Sequence, residues 1–196
     1  MSDYKNTKTN TEHQIILPLT KEKTTVLKCG DAVLLTGIIY AARDAAHKRM
    51  LSLLVSGKDF PFELNNAIIY YVGPTPSKPG KIIGSAGPTT ATRMDIFTPR
   101  LLDEGLIGMI GKGKRSADVI EAIKRNKAVY FGAPGGLGVL LADRIIKKEI
   151  VAFEDLGAEA IFRLEVKDFP VTVVIDTEGN DLYELGVKNY LSEKGN

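Results

Sequence analysis

Residues 31–57 read DAVLLTGIIYAARDAAHKRMLSLLVSG, and this stretch decides the fold. Val33, Leu34, Leu35, Ile38 and Ile39 form an apolar run that suits a mostly buried strand, interrupted by Gly37, where a bulge or a close backbone approach is expected. After residue 41 the period changes. Ala46, Met50, Leu53 and Leu54 recur at helical spacing with Asp44, Lys48 and Arg49 on the remaining positions, which predicts a helix over 42–56 ended by Gly57. A buried strand passing directly into an amphipathic helix is the opening of an α/β unit.

The alternation continues outward from this unit. Upstream, His13 to Leu19 reads as a first strand closed by Pro18, behind a polar segment, residues 1–12, expected to be frayed. Downstream, a strand over 67–72 runs into the turn-rich loop 73–80, whose three prolines cannot continue a ladder. Pro88-Thr89-Thr90 is expected to cap a helix through about Asp103, kinked near Pro99. A strand near 106–110, a helix over 116–125 and a strand over 128–131 follow, and the glycine-rich loop 132–138 leads to a helix reaching about Lys148. Strands near 150–153, 161–166 and 171–175 finish the core, and the tail 182–191 is ambiguous. No repeat or linker marks a boundary, so residues 13–196 read as a single α/β domain with a mixed sheet and flanking helices.

Composition removes several classes of function. Against 24 Asp plus Glu stand 26 Lys plus Arg, a formal charge of +2 over 196 residues, too weak for a dedicated nucleic-acid or membrane-surface binder. No apolar run approaches the ~20 residues that span a bilayer, and the polar start lacks the apolar centre of a signal peptide, so a cytoplasmic location is expected. The single cysteine, Cys29, can form no internal disulfide and cannot supply the several thiolates of an iron-sulfur cluster. His13 and His47 have no carboxylate at metal-ligand spacing, so no metal site is expected in this chain alone.

Three constellations could carry chemistry. Gly84-Ser85-Ala86-Gly87-Pro88-Thr89-Thr90-Ala91-Thr92-Arg93 joins glycines that let the backbone curl to a helix start with free amides. Thr89 and Arg93, four apart, would share one helical face, which fits a small carboxylate or phosphate ligand, or else an N-cap followed by a solvated arginine. The run Ala42-Arg43-Asp44-Ala45-Ala46-His47-Lys48-Arg49 lies where a buried strand meets a helix. Arg43 there could grip a carboxylate bidentately, with a second arginine on the other end of a dicarboxylate, or the run could be a surface helix with an Asp44 to Lys48 pair. His47 suits a hydrogen-bonded structural histidine better than an acid or base. Lys112, between two glycines after a strand, is free to reach an anion, or belongs to a solvated basic turn with Lys114 and Arg115. The loop Gly132 to Gly138 departs from the dinucleotide fingerprint in spacing and lacks the acidic ribose clamp, so close packing is the expected use of its glycines.

Taken together, Gly30-Asp31 with Thr36-Gly37, the Ala42 to Arg49 run, Tyr71-Val72-Gly73-Pro74, and Gly84 to Thr90 with Arg93-Met94-Asp95 resemble the β subunit, or C-terminal domain, of iron-sulfur class I fumarases and the related tartrate dehydratases. The resemblance extends from about His13 past Gly138. It implies a swivelling β/β/α domain that closes over a separate α subunit carrying a 4Fe-4S cluster, in an α2β2 assembly or a fused dimer. It further implies Arg43, Arg93 and Lys112 as dicarboxylate ligands and Thr89 as the proton-transfer residue beside C3. Asp44, His47, Gly87 and Thr90 are implied as supporting residues. As a free-standing chain without a cluster domain, the molecule is expected to be inert alone. A non-catalytic dicarboxylate-binding module and a nucleotide-binding α/β protein are the other readings, and whether the substrate is fumarate or tartrate stays open.

Overall fold

The computed structural model describes residues 11–194. Seven strands form one mixed sheet: β1 (Glu12–Ile16), β2 (Ala32–Ala41), β3 (Ile68–Tyr70), β4 (Gly108–Gly111), β5 (Val129–Gly132), β6 (Ile145–Ala152) and β7 (Ile161–Ile175). Their order is β1-β2-β3-β4-β5-β7-β6, and β2 also pairs with β7. Strands β2, β3, β4, β5 and β7 therefore close into a five-stranded barrel, with β1 and β6 attached outside the ring. The helices are α1 (Lys21–Thr25), α2 (Asp44–Val55), α3 (Thr98–Asp103), α4 (Ala117–Asn126), α5 (Gly138–Ala142) and α6 (Leu182–Lys194).

Strand β2 is the seam of the ring. Its first half pairs in parallel with β1, Ala32 to Thr36 opposite Glu12 to Ile16, and its last two residues pair in parallel with β3. The opposite edge runs antiparallel to β7 from Ala32 to Ala41. The handover from β1 to β3 falls at Gly37, where the β7 register also shifts. Gly37 has φ 132°, and a Cβ there would lie 2.8 Å from the Leu17 Cβ, so no side chain fits at the point where β1 peels away.

Alternation along the strands builds two cores. Ile68, Tyr70, Ile110, Val129 and Phe131 join Leu35, Ile39, Leu164, Phe169 and Val173 in one buried cluster. The alternate residues Ile69, Tyr71, Met109 and Tyr130 pack with Met50, Leu101, Leu102, Val119 and Ile123 from α2, α3 and α4. A strand buried on both faces must read as continuously apolar, which is why residues 67–72 carry no polar alternation.

Several expectations need correction. Of the segment expected to be frayed, residues 1–10 lie outside the described residues, whereas Thr11 donates its N–H to Asp31 and Glu12 begins β1. The first strand stops at Ile16 rather than Leu19. The helix expected from Pro88 to Asp103 is a 3-10 turn, Ala91–Met94, followed by α3, in which Pro99 occupies the first turn. Proline starts that helix instead of kinking one, because its missing N–H costs nothing there. The helix expected to reach Lys148 ends at Ala142, and Ile145–Ala152 becomes β6, since antiparallel pairing with β7 outweighs local helix preference. Strands expected at 161–166 and 171–175 are one 15-residue strand, β7. Pro170 is tolerated there because it falls between the spans paired with β6 and β5, where that edge needs no N–H donor. The ambiguous tail forms α6.

A Gly37→Val variant combines a disfavoured φ with the Leu17 clash. We predict a loss of about 2–4 kcal/mol of unfolding free energy, measured by urea denaturation, with Gly37→Ala losing less.

Candidate functional site

Three parallel strands deliver their carboxyl ends to one place, the location where α/β sheets present ligand-binding groups. β2 ends at Ala41 and is followed by Arg43, β3 is followed by Tyr71 to Gly73, and β4 by Lys112. A fourth strand-like segment joins them through the pairing of Thr90 with Lys112, in which Ala91 N–H donates to the Lys112 carbonyl at 2.9 Å and Lys112 N–H to the Thr89 carbonyl at 3.2 Å.

Arg43 occupies the N-cap position of α2 in an extended conformation, and Asp44 is the first helical residue, where a carboxylate is favoured by the helix dipole. The same oxygen, Asp44 Oδ2, stands 3.7 Å from Arg43 Nε and 3.5 Å from an Arg93 guanidinium nitrogen. Glu159, on the connection between β6 and β7, places Oε1 3.6 Å from Arg43 and accepts the Ala45 N–H on Oε2 at 3.0 Å. Gly73 completes the enclosure, since a Cβ at that position would come within 2.6 Å of an Arg43 guanidinium nitrogen. The expected Asp44 to Lys48 pair is replaced by these contacts, because Arg93 offers Asp44 a second cation from across the site.

The two site arginines contrast with three arginines elsewhere in the fold. Arg49, Arg115 and Arg125 donate hydrogen bonds to carboxylates at 2.5–2.8 Å. Arg43 and Arg93 donate none among the described residues, and their nearest carboxylates sit at 3.5–3.7 Å. Arg43 Nε and Asp44 Oδ2 are buried without a hydrogen-bond partner. Buried donors and acceptors are ordinarily satisfied, so two unpartnered ones in a single strand-end cluster stand out.

Thr89 donates both its N–H and its hydroxyl to the Tyr71 carbonyl, at 2.8 and 2.9 Å. It stands before the 3-10 turn Ala91–Met94 that carries Arg93, so the two share no helical face. Among the described residues its hydroxyl accepts no hydrogen bond. Thr90 makes no side-chain cap. Gly87 belongs to a loop tied to the 132–138 loop by Ala86 N–H donating to the Gly138 carbonyl at 3.0 Å. Lys112 is exposed, and its ammonium has no ion pair among the described residues.

Two buried groups fix this arrangement. Arg115, read from sequence as part of a solvated turn, is only 6% exposed. It donates to Asp95 Oδ1 at 2.7 Å and to Thr98 at 2.8 Å, and its guanidinium lies over the rings of Tyr71 and Tyr130. Asp95 also accepts the Ser116 N–H, so the segment carrying Arg93 is fastened to the loop after β4. Fully buried His47 has Nδ1 2.8 Å from the Arg43 carbonyl; a carbonyl only accepts, so Nδ1 carries the proton and Nε2 is left without a partner. Burial, opposed by that bond, pulls the His47 pKa down to about 4. Glu159, Arg115 and Asp95 are the members that sequence reasoning missed. No local signal marks Glu159, which lies 114 positions from the amide it accepts.

The family profile described as Fumarase C-terminus matches residues 1–186. Fumarate hydratase 1, mitochondrial, of Leishmania major is 43% identical over 152 residues, which cover 76% of this chain and 28% of that protein. Fumarate hydratase class I, anaerobic, of Escherichia coli (strain K12) is 41% identical over the same shares. The protein named "Putative L(+)-tartrate dehydratase subunit beta" of Methanocaldococcus jannaschii is 38% identical over 172 residues, covering 85% of this chain and 88% of its own length. The chain therefore spans little more than a quarter of the two fumarate hydratases.

His47 ties the site to pH. Its folded pKa lies below the unfolded value near 6.5, so its contribution to stability is whole above pH 6.5 and is lost as the pH falls toward 4, where the unfolded chain takes up a proton that the folded one refuses. We predict a decline approaching about 1.4 kcal/mol per pH unit in that window, flattened in His47→Gln and read from urea midpoints at successive pH values. Arg115→Met strands Asp95 and is expected to cost about 3–5 kcal/mol.

Proposed function

Since this chain belongs to the fumarase C-terminus family, we propose that it is the β component of a hydro-lyase that interconverts fumarate and L-malate, active with a separate α subunit that carries a 4Fe-4S cluster. The residues of this chain do not fit the cluster. Cys29 is its one thiol, tied to the Val174 carbonyl and, mainly by burial, pushed up to about 12 in pKa, and no trio of ligating side chains stands together among the described residues. The steps below concern this chain's own groups.

Arg43 and Arg93 grip the carboxylates of the diacid, and Lys112 adds a third cation from the β4 end. Removing a proton from the carbon beside a carboxylate builds negative charge on that carboxylate, and cations already in place stabilise it without reorganising. Thr89 handles the proton. Its hydroxyl donates to the Tyr71 carbonyl, which leaves the oxygen able to accept. A threonine hydroxyl is a poor base at neutral pH, so a carboxylate from the partner takes its proton in turn. The observation that carries this reading is the pair of arginines meeting at one Asp44 oxygen with their hydrogen-bonding capacity unspent.

Tartrate dehydration is the second reading. It is favoured by the Methanocaldococcus jannaschii relative, which this chain matches over most of that protein's length. The two substrates differ by one hydroxyl.

The test is anaerobic reconstitution with a cluster-bearing α subunit, following fumarate absorbance from malate and oxaloacetate from tartrate in parallel. Turnover of one assigns the substrate, and turnover of neither overturns both readings. In the active pair, Arg93→Ala is expected to lower kcat/KM at least about 100-fold while the two chains still co-elute, because a charge-assisted contact to a carboxylate is lost in the transition state. Near-normal rates would remove Arg93 from the site.

A further inference from the structure

The three sides of the Arg43 guanidinium are occupied differently. Asp44 faces Nε, Gly73 yields space to one terminal nitrogen, and Glu159 faces the other. Asp44 is shared with Arg93 and pulls both cations toward one oxygen, so on its own it leaves the Arg43 fork free to turn. Glu159 is committed to Arg43 alone. Its second oxygen is pinned by the Ala45 N–H at 3.0 Å, and Ala45 is the second residue of a helix whose own N-cap makes no side-chain cap. One carboxylate thus supplies the missing cap of α2 and a fixed counter-charge for the arginine at its start.

We infer that Glu159 is a positioning residue: it fixes the orientation of the Arg43 guanidinium so that the fork faces the substrate carboxylate. The relevance to substrate rests on the reading of Arg43 as a dicarboxylate ligand, whereas the hold on Arg43 is a property of this chain by itself. Glu159 reaches α2 from the 3-10 segment Glu154–Glu159, which is clipped to the same helix a second time by the bidentate pair of Asp155 with Arg49. The two clips separate cleanly. Loosening the distal one disturbs the segment without touching Arg43, and neutralising Glu159 removes the charge while an amide oxygen can still accept the Ala45 N–H.

The experiment compares Glu159→Gln, Glu159→Ala and Asp155→Asn in the reconstituted enzyme and, for the isolated full chain, by nitrogen-resolved NMR of the arginine side chains. For Glu159→Gln the expected result is a KM for the dicarboxylate raised about three- to fivefold with kcat within about twofold, the size of one partly exposed ion pair acting equally on bound substrate and transition state. Glu159→Ala raises KM further and lowers the melting temperature through the lost cap. Asp155→Asn leaves KM at the wild-type value. In the isolated chain the Arg43 terminal nitrogens show slowed rotation about Cζ–Nε in the wild type and in Asp155→Asn, and fast rotation in Glu159→Gln. A wild-type KM in Glu159→Gln, the same KM rise in Asp155→Asn, or Arg43 rotation unaltered by Glu159→Gln each overturns the inference. Should the wild-type pair turn over neither diacid, the functional reading fails while the rotation measurement still decides whether Glu159 holds Arg43.

Discussion

The antiparallel pairing of β2 with β7 closes the ring, and the rest of the molecule is arranged around that closure. Without it β2 would be one more strand in an open sheet. With it, the strand is committed on both edges, and the chain leaves it at Ala41 in a single direction. Arg43 follows two residues later, at the start of α2, so the position of the cation is inherited from the register of the barrel. A one-residue slip would turn Leu35 and Ile39 out of their core and carry Arg43 away from Arg93. Gly37 is the element that makes the closure possible, since β1 must leave the edge where β3 takes over.

Electrostatics divides the arginines into two kinds. Arg115 is buried, hydrogen-bonded to Asp95 and Thr98 and set over two tyrosine rings, and it acts as a rivet between the turn that carries Arg93 and the loop after β4. Arg43 and Arg93 share one acidic oxygen at distances too long for hydrogen bonds. The first kind of arginine has its charge consumed within the fold, and removing it leaves a stranded carboxylate. The second kind has its charge partly offset by a shared carboxylate while its hydrogen-bonding groups stay unspent, Arg43 part-buried and Arg93 exposed. Buried, uncharged His47 beneath them keeps the Arg43 backbone in place and adds no positive charge at neutral pH.

Much of this was legible in the chain itself, for reasons that can be given element by element. The change of period at residues 41–42 appeared in the structure as β2 passing into α2, because a strand buried on two faces and a helix buried on one leave different apolar spacings. Arg43, Thr89, Arg93 and Lys112 were all visible as polar residues at strand ends or in glycine-containing turns, and the fold gathers them at one end of three parallel strands. The segment after Pro88 was misread. Its threonines resemble a helix cap, but Tyr71 captures both donors of Thr89 and keeps it outside any helix, a long-range event with no local trace. The helix expected before Lys148 failed likewise, since β7 offered Ile145–Ala152 a ladder that local preference does not anticipate.

Local order along the chain therefore determined the α/β alternation, the strand that feeds Arg43, and the family to which the motifs belong, because short-range periodicity and motif spacing are written in consecutive residues. Tertiary structure alone decided that the sheet is a closed ring, that Asp44 faces two arginines rather than Lys48, that Arg115 is buried, and that Glu159 reaches Arg43 from the connection between β6 and β7. These are pairings between residues distant in sequence. Their partners are chosen by the geometry of the closed barrel, and a charge on a chain carries no mark of which distant charge it will meet.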